Sequence, residues 1–574
     1  MNIETATAQQ REAITTDAHR VLVLAGPGSG KTATTVARIH HLIYACGTTP
    51  SEIVAITFTN AAARELEERI AKECGDDVKL GYVGTLHGFC LRMLKEHGGF
   101  LGYGSRISII SPESAEDLLV SKAKTLGCKT PIKELLKLKG AGRPPRGQRL
   151  SGNQVVIANY FDDLRDAGIV DFDVLLTEAL RLFRDVVGSF SFNFRHLFVD
   201  EVQDSSATDW EIYDALVIEN KFFVGDPDQA IYAFRGGDVS EMLARCSTHK
   251  VIALEENFRS RSEICQAAQN LIEYNKDRVP KRTWSVKGHG GEVAYHFGKM
   301  NEGEELSAVY RSIVQFTQAL ADKEPTITPS IAVLARTNAI ATSFRKGLAA
   351  SGIPVVAVQT SGLPKDWPVV RALVEFLSNP ENDTLAQFLL IALYEKKGAS
   401  PKEAREAVHA AKRAANAAGK TLNRANLGFE RRENCADIAQ ILVKENISAE
   451  SRMLVAEQLK EVGAGASVLD LSLALAQVKG INQESGEGVE CMTIHASKGR
   501  EFDAVFVVGA EEKILPSNWG GATIEEERRL AYVAITRARS LLVITSSATR
   551  ATPWGALGAQ TPSRFIQEMI GGAA

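Results

Sequence analysis

Short apolar runs closed by glycine-rich or acidic turns punctuate this chain, and a helical pattern follows each of them. Val21–Leu24 runs into a glycine-rich turn, and the run 53–58 into a polar one. Leu197–Val199 and Phe222–Val224 each run into acidic turns. Runs of this length bounded by turn residues predict buried strands. Strands alternating with helices predict a parallel, doubly wound sheet whose ligands sit at the strands' carboxyl ends. A second series follows at Ser330–Leu334, Val355–Val358, Cys491–Ile494, Ala504–Val508 and Leu541–Ile544, so the pattern predicts two α/β cores. It breaks twice, at residues 91–194 and 379–487, which read as mostly helical insertions. The expected division is 1–90 with 195–255 for the first core and 91–194 for its insertion. The second core takes 256–378 with 488–574, and its insertion 379–487.

Composition narrows the class. The 574 residues are 45% hydrophobic and 24% charged, the profile of a folded globular chain long enough for several domains. A net charge of -4 excludes nucleic-acid binding by global charge, so any such grip must be local. The eight cysteines show no CxxC pair and no Cys/His cluster, which argues against zinc or iron–sulfur sites and suits a reducing cytoplasm. No apolar run approaches the ~18 residues of a membrane span, and the N-terminus has no export signal. The expected setting is cytoplasmic.

The chemistry gathers at strand ends. Ala25, Gly26, Pro27, Gly28, Ser29, Gly30, Lys31 and Thr32 form a glycine-rich turn opening a helix. A strict phosphate-loop pattern wants glycine where Ala25 stands. The physics still holds: the glycines let backbone amides turn onto phosphates, Lys31 neutralises them, and the Thr32 hydroxyl ligates Mg²⁺. Asp200 and Glu201 end a second strand; Asp200 suits Mg²⁺, and Glu201 can orient and deprotonate an attacking water. Gln229, after a third strand, can sense a γ-phosphate. The segment 129–149 carries Lys133, Lys137, Lys139, Arg143, Arg146 and Arg149 among glycines and prolines, and reads either as a DNA-duplex arm or as a solvated linker. A later run from Lys396 to Arg424 reads either as a duplex-facing surface or as a solvated helix face.

In order along the chain, these and further motifs resemble the UvrD/Rep/PcrA-type superfamily 1A DNA helicases, as a compact member with shortened insertions. The motifs are Gln10–Ile14, Ala25–Thr32, Thr57–Asn60, Gly84–His87, Asp200–Asp204, Gly225–Gly236, Leu254–Ser260, Thr493–Phe502, Glu526–Arg539 and Pro562–Phe565. The resemblance implies two RecA-like cores, each with a helical insertion, and ATP with Mg²⁺ as cofactors. It implies that Gln10 reads adenine, Phe258 stacks on it, and Glu501 contacts the ribose. Arg259 and Arg537 should reach the γ-phosphate from the second core; with Lys31, Glu201 and Gln229 they form the expected catalytic set. The implied single-strand track is Phe58, Thr59, Asn60, Thr85, His87, Tyr232, Phe234, Arg235 and His495, combining stacking faces with backbone contacts. The chain departs from the family's usual residues at Phe234, Ala33, Ala61, Leu86, Ser497 and Arg500.

The expected function is an ATP-dependent 3′→5′ single-stranded-DNA translocase and helicase acting in repair, recombination or replication. Its expected partners are single-stranded DNA, single/double-strand junctions and a nuclease, repair or replication protein, with no membrane. The alternatives are a motor subunit of a helicase–nuclease or anti-phage complex, and an ATP-switched DNA remodeller that does not unwind. The chain ends soon after Arg539, so a nuclease is expected as a separate partner.

Overall fold

The computed structural model describes residues 3–571 apart from 105, 145–146, 148, 186–192, 234–235, 325, 327, 362, 418–437, 464–465, 477, 479–480, 486, 519–520 and 552–556. Two all-parallel sheets organise it. The first has six strands in the order Tyr82–Thr85, Ile53–Thr57, His196–Val199, Asn220–Gly225, Arg20–Ala25, Lys250–Leu254. The second has five: Glu292–His296, Ala538–Thr545, Phe502–Val508, Ile331–Ala335, Glu490–Thr493.

Both sheets are covered on both faces at their centres, which is why inner strands such as Arg20–Ala25, Ile53–Thr57, Phe502–Val508 and Ile331–Ala335 carry near-continuous apolar runs. In the first, Val21, Val23 and Ala25 pack on one side with Val36 and Ile39, while Leu22 and Leu24 face the other with Phe89 and Leu91. In the second, Ala332, Val505 and Leu542 face one side, and Val333, Phe506 and Val543 the other. Register aligns the strand ends: Leu24 lies opposite Gly225, Ile56 opposite Val199, and Thr57 opposite Thr85. The motif loops of the first core therefore leave one edge together.

The structure differs from or adds to the expected pattern at three places. The run Val355–Val358 is not a strand of the second sheet. Val355 only bridges Val489, and Ala357–Ser361 pairs antiparallel with Ile481–Ser485. That ribbon joins the chain leaving for the second insertion to the chain returning from it, and an apolar run alone does not name its partner. The helix Trp367–Ser378 lies just before the expected boundary at 379 and packs on Asp383–Lys396 and Val468–Leu475 beyond it. The segment 129–149 is not simply a solvated linker. Ile132–Gly140 is a helix with Leu135 buried, and Lys139, 6% exposed, contacts Asp171 at 2.8 Å and Asp173 at 2.9 Å. Arg143 pairs with Asp162. Lys133, Lys137 and Arg149 remain exposed, and Arg146 lies outside the described residues.

The two insertions dock on each other. Ser111 N–H donates to Glu375 Oε1 at 2.9 Å, Arg371 pairs with Glu113 at 2.6 Å, and the Ser378 and Ser108 hydroxyls meet at 3.0 Å. In the later basic run, Arg405 pairs with Asp117 and Lys412 with Asp383, while Lys420 and Arg424 lie outside the described residues. Among the described residues, no helix is long and apolar enough to cross a membrane.

Candidate functional site

The glycine-rich turn leaves the strand Arg20–Ala25 and closes on the helix Lys31–Tyr44. Gly30 caps that helix at φ 81°, a left-handed conformation that favours glycine. Gly28 has φ 66°, and a Cβ there would lie 2.6 Å from Arg259 Cβ, so the second core's chain needs the bare backbone. The first amides of a helix have no upstream carbonyl, and here they face a cleft of about 850 Å³ lined by both cores. Gln10 braces the turn from behind: Nε2 donates to Ser29 O at 3.0 Å, and Oε1 accepts from Thr7 N at 3.1 Å. It is 2% exposed and outside the cleft lining, and these two bonds leave one Nε2 hydrogen and one Oε1 lone pair for a further partner.

Across the turn, Asn257 pins the arriving chain. Its Nδ2 donates to Pro27 O at 2.7 Å, its Oδ1 accepts from the Arg259 and Ser260 amides, and Phe258 N–H donates to Gly28 O at 2.9 Å. This holds the Phe258 ring, 41% exposed, at the cleft.

Asp200 and Glu201 face Lys31. Glu201 sits in a left-handed conformation at φ 52°, and its Oε1 lies 3.3 Å from Lys31 Nζ. Burial, and then the adjacent Glu201, push the Asp200 carboxyl up from its ordinary value. Burial pushes the Glu201 carboxyl up as well, but Lys31, Lys498 and the Gln203 amide outweigh it and hold Glu201 below the usual range. Glu201 therefore stays ionised beside the cleft. Thr32 and Asp200 both line the cleft, and among the described residues no group of three or more His, Cys, Asp or Glu could hold a metal alone. Two oxygen donors fit Mg²⁺, which keeps waters and phosphate oxygens as its other ligands.

The second core closes the opposite wall. Arg537 is 2% exposed; it donates to Val533 O at 2.9 Å, Arg500 O at 3.2 Å and Gln229 Oε1 at 3.1 Å. Burial, and then the Arg259 charge, lower its guanidinium from the ordinary value, and an anion in the cleft relieves both effects. Arg259 donates to Glu501 at 2.6 Å and to Thr536 O at 3.2 Å, and Glu501 also holds Arg539. Gln229 Nε2 donates to Asp226 at 2.6 Å. Sequence reasoning assigned no role to Lys498, yet it crosses the cleft to pair with Asp204, donates to Gln229 O at 3.2 Å and lies 4.8 Å from the Tyr232 ring centre. Gln203, Asn257 and Lys498 all stand inside recognised motifs, and that position was their only signal.

The expected DNA track is only partly assembled. Phe58, 40% exposed, stacks on Tyr232 with ring centres 5.5 Å apart and planes 12° apart, and both line the cleft. Thr59 caps the helix Asn60–Cys74, and Thr85 caps the helix Leu86–His97, so each hydroxyl oxygen already accepts a backbone N–H. The His87 ring meets Phe172 edge-on at 5.5 Å, and burial lowers its pKa. His495 opens the turn His495–Ser497, away from the cleft lining. Phe234 and Arg235 lie outside the described residues.

Two family models match this chain. The family model described as the UvrD/REP helicase N-terminal domain matches residues 6–250, and the UvrD-like helicase C-terminal domain matches 252–365 and 390–549. Similar relatives include proteins named ATP-dependent DNA helicase PcrA. The one from Staphylococcus aureus strain MRSA252 is 27% identical over 98% of this chain and 86% of its own length. The one from Leuconostoc citreum is 29% identical, over 99% and 86% respectively.

Proposed function

The chain belongs to the UvrD/Rep helicase family, and from that premise we propose that this ATP-dependent DNA helicase moves 3′→5′ along single-stranded DNA and serves repair, recombination or replication. The observation that carries the motor reading is the cleft with Lys31 and Glu201 on one wall and Arg259 and Arg537 on the other. The phosphates of ATP compete with Glu201 for Lys31. When Lys31 turns to them, one Glu201 oxygen is released to orient a water and accept its proton. Thr32 and Asp200 would hold Mg²⁺, which neutralises charge on the transferring phosphoryl group when bound. Arg259 and Arg537 stabilise that charge only with the cleft closed, so hydrolysis and core closure are linked. Phe58 and Tyr232, on the rim of the same cleft, offer stacking faces to DNA as the cores move.

Two experiments test this reading. Glu201→Gln should bind ATP normally and hydrolyse it at least ~10²-fold more slowly. A wild-type rate removes Glu201 from the chemistry. Streptavidin on the 5′ end of a single strand should be displaced with ATP, and streptavidin on the 3′ end should not. The reverse overturns the polarity, and hydrolysis without any displacement favours the remodeller. Strand displacement on 3′-tailed and 5′-tailed duplexes separates unwinding from translocation.

A further inference from the structure

Gln203 is 1% exposed, on the short turn Val202–Asp204 that follows Glu201. Both ends of its amide are used. Nε2 donates to Glu201 Oε2 and, at 3.3 Å, to Asp204 Oδ2. Oε1 accepts the Asp226 N–H at 3.0 Å. Asp226 in turn accepts from Gln229, and Gln229 accepts from Arg537 of the second core. The space that Gln203 occupies is kept open by Gly225. A Cβ there would lie 2.5 Å from Gln203 Oε1 and 3.0 Å from Val202 Cγ1, although the Gly225 backbone is ordinary strand. The two oxygens of Glu201 are thus held separately, Oε1 by Lys31 and Oε2 by Gln203. When Lys31 turns to a phosphate, Gln203 remains.

We propose that Gln203 is a positioning residue: clamped by the Asp226 amide, it fixes the Glu201 carboxylate in its left-handed turn and ties the aim of the attacking water to the segment 226–229. The proposal rests on the reading of Glu201 given above. A free carboxylate rotates about its side-chain bonds, and misplacement of a reacting group by about 1 Å costs on the order of 10²-fold in rate. Gln203 does not itself line the cleft and has no bond to the phosphate turn; it reaches the cleft only through Glu201 and Asp204, so its loss should act on turnover and not on ATP binding.

The test uses the full chain with saturating single-stranded DNA. Gln203→Met keeps the length of the side chain and removes its hydrogen bonds; Gly225→Ala keeps the Gln203 amide but pushes it out of position. Both should lower kcat by about 10- to 100-fold and leave KM and the affinity for a fluorescent ATP analogue within about twofold. The double variant Glu201→Gln with Gln203→Met should be no slower than Glu201→Gln alone, because Gln203 acts through that carboxylate. A wild-type kcat in the Met variant, or a parallel loss of analogue binding, overturns the proposal, and so does an additive double variant. Should the Met variant not fold, Gly225→Ala decides by the same split. A slow Glu201→Gln beside a fast Gln203→Met rejects only the role of Gln203; a fast Glu201→Gln rejects the reading beneath it.

Discussion

Glu375→Gln should remove a pH dependence that the docking of the two insertions imposes on stability. Glu375 is 3% exposed; one oxygen accepts the Ser111 amide, and the other, Oε2, is buried with no hydrogen-bond partner among the described residues. Burial pushes its carboxyl from 4.5 to about 7, against the pull of the Ser111 amide and Arg371. The folded state therefore favours the neutral acid. Below the unfolded value the group costs nothing, and stability falls as pH rises through the interval up to about 7. At ~1.4 kcal/mol per pH unit the full loss is about 3 kcal/mol, of which about 2.5 kcal/mol falls between pH 5 and pH 8. An amide resembles the neutral acid, so wild type and variant should nearly coincide at pH 5 and separate at pH 8, the variant being more stable. Hydrogen exchange over residues 108–114 and 367–378 reports that interface locally, which matters because a multidomain chain has no single unfolding free energy. Parallel pH profiles for the two proteins would refute the reasoning and place the ionised carboxylate in water.

Phe58→Ala should weaken single-strand affinity by ~1–3 kcal/mol, the value of one base–aromatic stack, with DNA-free ATPase little changed; unchanged affinity in a fluorescence titration would leave the Phe58–Tyr232 pair as mutual packing. Lys139→Met should destabilise the first insertion by about 3 kcal/mol in thermal or urea unfolding, because it strands a buried carboxylate. Lys133→Met, at an exposed position, should change stability by less than about 0.5 kcal/mol. Equal effects would show that Lys139 is solvated.

The cores were legible wherever both faces of a strand are covered, because burial on both sides writes a continuous apolar run such as Val21–Leu24 or Ala504–Val508. Glu292–His296 escaped notice for the opposite reason: it is an edge strand whose residues are exposed or half-buried, so its pattern is weak. Val355–Val358 was legible as extended chain but not as to its partner. Lys139 shows the same limit in a charged run. Nothing local separates it from Lys133 or Lys137; what separates it is Asp171, brought opposite by the packing of the helix Ile132–Gly140 on Gly152–Ala167 and Phe172–Asp185.

At the cleft, motifs disclose which groups are present, and the fold decides what each is bonded to. From the motif around it, an arginine at position 537 is expected to meet phosphate. Its burial is not legible there, since that is made by carbonyls of Val533 and Arg500 and by an amide 308 residues away. That burial is what makes an anion welcome: a guanidinium out of water, beside the charge of Arg259, gains more from a phosphate than an exposed one does. Gln203 is the converse case. In sequence it is one polar residue between two carboxylates with no chemistry of its own. Its bonds to Glu201 and Asp226 exist because two parallel strands bring their carboxyl ends side by side and Gly225 leaves room between them. Residues that react announce themselves by type, whereas residues that aim them are defined only by the neighbours the fold supplies.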